Sequence, residues 1–96
     1  MINFLKEIAD VANLPLEEAN RVVAVTMLSN RAVMINNYKK ILTYNDSHVV
    51  LKVVDDELVV DGKDIAIKQL TKQDIYLVGD IARVYFAKEV KKYEDA

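Results

Sequence analysis

From Arg21 onward the chain is written in short apolar runs separated by polar clusters. The runs are VVAVTML (22–28), AVMI (32–35), ILTY (41–44), VVLKVV (49–54), ELVV (57–60), IAI (65–67), IYLV (75–78) and IARVYF (81–86). Between them stand SNR, NNYKK, NDSH, DD, DGKD, KQLTKQD and GD. Val, Ile, Leu, Thr and Tyr suit a pleated, half-buried surface, and Asn, Asp, Lys and Gly suit the turns. A parallel sheet would need crossover helices, and no connection is long enough to hold one. The pattern therefore predicts a mainly β fold, a small antiparallel β-sandwich of about seven or eight short strands. A faint internal repeat keeps a β-roll as the alternative: Leu58-Val59-Val60-Asp61-Gly62 and Ile75-Tyr76-Leu77-Val78-Gly79 are each followed by further apolar residues. Both glycines read as turn residues between two strands.

The beginning of the chain follows a different rhythm. Phe4, Leu5, Ile8, Ala9, Val11 and Ala12 recur at three- and four-residue spacing, with Lys6, Glu7, Asp10 and Asn13 on the other side. Leu14-Pro15 is a stop signal, because the residue before proline is pushed out of the α region. The resulting partition is an N-terminal α-helix over 1–14, a β domain over 21–87 and a charged C-terminal tail over 88–96. With Glu7 and Asp10 beside a single Lys6, the helix is a poor match to a basic interfacial helix and suits covering a sheet face or a partner.

Alternation within the runs separates two faces. Val49, Leu51, Val53, Leu58, Val60, Ile75 and Leu77 fall on one, and Val50, Lys52, Val54, Val59, Asp61, Tyr76 and Val78 on the other. The second face is only half polar, so Val50, Val54, Val59, Tyr76 and Val78 form a candidate interaction surface. A homo-oligomer or another docking partner is the expected occupant.

Composition narrows the chemistry. Ninety-six residues suit one domain with a thin core, and 13 basic against 15 acidic residues give a net charge of −2. That balance argues against nucleic acid as the main partner. The chain has no Cys, hence no disulfide, thiolate metal site or thiol nucleophile. No run approaches the roughly 18–20 apolar residues of a membrane span, so membrane association is expected only through a surface or a partner.

His48, the single histidine, follows Asp46 and Ser47 in NDSH. Three adjacent turn residues cannot form a nucleophile relay, whose members converge from different elements. Asp55-Asp56-Glu57 lacks the alternating oxygen ligands of a Ca²⁺ loop and reads as a hairpin turn. Two isolated glycines cannot make a phosphate cradle. No enzyme, cofactor or metal site is expected. Arg31, Asn37, Tyr38, Lys39 and Lys40 remain as candidate loop contacts, the basis of a second reading in which the domain binds a small ligand or an anionic glycan.

The order of these motifs resembles that of the YabP/YqfC family of sporulation proteins. Asn30-Arg31 before a short strand, then Ile35-Asn36-Asn37-Tyr38-Lys39-Lys40-Ile41-Leu42-Thr43-Tyr44, is similar to that family's "NR…I-E-N-[HY]-K-G-I-L-x-Y". Glu57 to Ile67 is similar to "G-E-L-V-I-x-G-x-x-L-x-I", and Val78-Gly79-Asp80-Ile81 with Val84 and Phe86 to "E-G-x-I-x-x-I-x-F". Ser29, Lys40 and Asp56 stand where the family commonly has glycine, and Asn36 where it has Glu. The short helix ending at Leu14-Pro15 suits the YqfC-like branch. The resemblance implies a non-enzymatic β-sandwich protein of the mother-cell cytoplasm. It implies a role in assembling spore cortex or coat, with a membrane-embedded sporulation protein as partner.

Overall fold

The computed structural model describes residues 22–94. Six strands, β1 (Ala24–Leu28), β2 (Ala32–Asn36), β3 (Lys40–Tyr44), β4 (His48–Val53), β5 (Asp56–Leu70) and β6 (Asp74–Phe86), precede a helix, α1 (Ala87–Glu94). The expected helix over 1–14 lies outside the described residues.

Apart from Val22, Val23 and Val54 at their ends, the apolar runs fall on strands, but the runs outnumber the strands. Residues 57–60 and 65–67 are two stretches of β5, and 75–78 and 81–86 are two stretches of β6. The separate sheets of a sandwich are likewise corrected: the six strands form one antiparallel sheet in the order β1-β2-β6-β5-β4-β3. A β-roll is also excluded for the described residues, since no pair is parallel. Residues 87–94, read as the domain's last residue and a charged tail, are helical. The Asp56 carboxylate accepts the backbone N–H of Lys88 at 3.1 Å, filling one of the N–H positions that a helix start leaves open.

Gly62 and Gly79 are not turn residues. Each sits inside a long strand where the partner backbone comes too close for a side chain: a Cβ on Gly79 would lie 2.8 Å from the Asp64 carbonyl oxygen, and one on Gly62 would collide with that of Asp80. The register shifts on both sides of this point, between Asp61 and Gly62 and between Lys63 and Ala66. Bulges of this kind bend a strand pair and free some of its N–H groups. Two turns accept them. Arg31 O and Asn30 O, in the β1–β2 turn, take Gly79 N–H (3.0 Å) and Ile81 N–H (2.7 Å). Ser47 O and Asp46 O, in the β3–β4 turn, take Gly62 N–H (3.0 Å) and Ile65 N–H (2.8 Å). The Asn-Arg pair and the NDSH segment are thus the braces of the bend.

On either side of the bend the sheet has four strand segments. One half contains β1, β2, the first stretch of β6 and the last of β5; the other contains β3, β4, the first stretch of β5 and the last of β6. Val33, Ile35, Ile75 and Leu77 from the first half join Val49, Leu51, Val53, Leu58, Val60 and Ile81 from the second in one buried cluster. The inner face is the one that alternation assigned.

Candidate functional site

The outer face carries the polar chemistry, and cross-strand register assembles it. His48 on β4 stands opposite Asp61 on β5, which stands opposite Arg83 on β6. His48 Nδ1 lies 2.5 Å from Asp61 Oδ1, and Arg83 Nε donates to Asp61 Oδ2 at 2.9 Å. An ionised carboxylate only accepts, so the His48 proton on this bond sits on Nδ1. Burial pushes the Asp61 carboxyl up, but the hydrogen bonds and charges of His48 and Arg83 outweigh it and hold the group below the usual carboxylate range. The Arg83 guanidinium lies 4.5 Å from the centre of the Tyr85 ring, in cation–π range.

This row is chemically closed. Both Asp61 oxygens are engaged, and the neighbouring Ser47 hydroxyl donates to Asn45 Oδ1 at 3.0 Å instead of turning to His48. The histidine's acid partner is Asp61, across the sheet, and not Asp46 two residues before it. Among the described residues no cluster of three or more His, Asp or Glu could hold a metal ion.

Beside the polar row runs an apolar one. Val50 on β4 faces Val59 on β5, which faces Tyr85 on β6. Val59 is already 5% exposed within the chain, while Val50 is half-buried. Val54 lies in the β4–β5 turn. Tyr76 and Val78 belong to the other half, opposite Met34 and Ala32 of β2. The five-residue candidate surface is therefore divided by the bend, with one member, Val59, removed from it by its neighbours. Tyr76 and Val78 gain company that alternation did not name: Met34 and Leu28 are 42% and 60% exposed on the same side of β2 and β1.

The candidate loop contacts do not converge. Arg31 precedes β2 and Asn37 follows it, so the length of a five-residue strand, about 17 Å, separates Arg31 from the 37–40 segment. Tyr38 is 7% exposed, packs in the core and donates its hydroxyl to Thr71 O at 2.8 Å. Asn37 takes a left-handed conformation, and its side-chain amide donates to Val22 O at 3.1 Å. Lys39 and Lys40 are exposed. The anionic-ligand reading loses its cluster, because three of its five residues are committed to structure or placed at the far end of β2.

The row that sequence reasoning missed, His48–Asp61–Arg83, had one signal: a histidine and an aspartate each at the second-face position of consecutive strands. Only the register makes them neighbours.

No helix among the described residues is long and apolar enough to cross a membrane. The model of the YabP family matches residues 19–93 of the chain. No curated protein matches it.

Proposed function

The chain belongs to the YabP family, and from that membership we propose a non-enzymatic sporulation protein that works through protein contacts. The observation carrying the reading is the family match over 19–93, which spans the whole β domain. The arrangement of side chains supports it. The outer face offers Leu28, Met34, Tyr76 and Val78 together, an apolar area suited to a protein partner. The titratable residues on the opposite half are tied to one another instead of aimed into a cleft.

In this reading the protein acts in the mother-cell cytoplasm as an assembly factor for spore cortex or coat. Its partner is a membrane-embedded sporulation protein, reached without a span of its own.

The test is the yield of heat-resistant spores after deletion of the gene, with complementation. The expected result is a large loss that the wild-type gene restores. A gene carrying Tyr76→Glu should fail to restore it while its purified product melts like the wild type. An undiminished yield in the deletion strain, or a source organism that forms no endospores, would overturn the reading.

A further inference from the structure

Among the described residues both ends of the sheet are edges, and they are built differently. At one end β3 carries Lys40, follows Lys39, and is interrupted by a register shift between Ile41 and Thr43. Lysine and a bulge on an outer strand are the usual means of discouraging another strand from adding. At the other end β1, Ala24–Leu28, has no charge, no proline and no glycine. It pairs with β2 over five consecutive positions without a shift. Met27 and Leu28 are 44% and 60% exposed. Among the described residues, β2 is the only strand that β1 pairs with.

We propose that β1 is a strand-pairing edge whose occupant is β1 of a second copy of this chain, giving a two-fold dimer with a continuous sheet. The sequence of the strand selects this occupant. About a two-fold axis at Thr26, antiparallel pairing sets Leu28 against Ala24 of the second copy and Met27 against Val25. Each exposed long side chain meets a shorter one on the same face, and no charge meets its own image. A partner chosen by charge has nothing on β1 to recognise. Head-to-tail growth through β3 meets that strand's lysine and bulge, so the contact closes as an isologous pair and does not extend into a filament. The proposal rests on the backbone edge and is independent of the sporulation reading.

The test uses the full chain. Sedimentation equilibrium across the micromolar range is expected to give twice the chain mass of 10.9 kDa. Thr26→Lys, which places two lysines at the axis, should return the mass to that of one chain with an unchanged far-ultraviolet dichroism spectrum. Because the chain has no cysteine, Thr26→Cys gives a clean second reading: opposed strand residues are close enough for a disulfide. Mild oxidation should then yield a covalent dimer at least ten times faster than for Thr43→Cys on the β3 edge. The cross-link decides the matter if Thr26→Lys does not fold. A wild-type monomer would overturn the proposal, and slow amide exchange along β1 in that monomer would assign the edge to the chain's own residues 1–21. A dimer that survives Thr26→Lys and leaves Thr26→Cys uncross-linked would overturn it as well, placing the contact elsewhere.

Discussion

Left-handed backbone and close backbone approach define two kinds of backbone position with opposite responses to mutation. Ser29, Asn37, Asp55 and Asp64 hold positive φ without being glycine, a conformation that costs an L-residue roughly 1 kcal/mol. At Ser29 that φ is 53°, a conformation that glycine takes without steric cost. The Ser29 side chain makes only a long 3.4 Å contact to Asn30 Oδ1. Ser29→Gly is therefore expected to leave stability unchanged or raise it by up to about 1 kcal/mol, relief of φ being partly offset by a freer unfolded chain. Gly62→Ala should do the reverse. The new methyl meets the Asp80 carbonyl in the middle of the braced bend, and a loss of about 3 kcal/mol or more is expected. Urea denaturation of both variants checks the pair; a Gly62→Ala protein within about 0.5 kcal/mol of wild type would show that the bend tolerates a side chain.

At the scale of elements, the row across β4, β5 and β6 makes acid stability specific. The Asp61 carboxyl is held below its usual range when folded, so the folded state binds its proton less readily than the unfolded chain does. The stabilisation from Asp61 is complete above the unfolded carboxylate value, about 3.9, and is lost as the pH falls through that value toward the folded one. The urea midpoint should drop more for wild type than for Asp61→Asn between about pH 5 and about pH 3. Equal acid dependence in the two proteins would remove Asp61 as the source. This row also marks where sequence reading stops. Period-two alternation placed Val49, Leu51, Val53, Leu58, Val60, Ile75 and Leu77 inside, because each strand is half-buried and its pleat is local. It could not say which residue lies beside which on neighbouring strands, since register depends on distant pairing. The glycines misled for a related reason: a glycine that ends a strand and one that lets two backbones touch inside a strand leave the same mark in sequence. Only the partner strand, with Asp80 O facing Gly62 and Asp64 O facing Gly79, tells them apart.

For the whole molecule, the strand order joins a local meander to a distant hairpin. β3 to β6 follow one another through short turns and pair in sequence, whereas β2 reaches β6 across the entire meander, as in the pairing of Ala32 with Val78. Contacts between neighbouring strands close short loops at small entropic cost; the β2–β6 ladder closes a long one and gains from an already formed β6. The meander should accordingly be formed in the folding transition state, with β1 and β2 added afterwards. Leu51 and Leu58 are 0% and 1% exposed within the meander, and Val33 is 0% exposed on β2. Leu51→Ala and Leu58→Ala are each expected to cost about 2–5 kcal/mol and to slow folding. Val33→Ala, which removes less, should cost somewhat less and act mainly by speeding unfolding. Chevron plots of the three variants separate these effects. If Val33→Ala slows folding in proportion to its full loss of stability, β2 belongs to the nucleus. The bend would then be braced from both sides before the core closes, because Asn30 O and Arg31 O reach β6 only when β2 is in register.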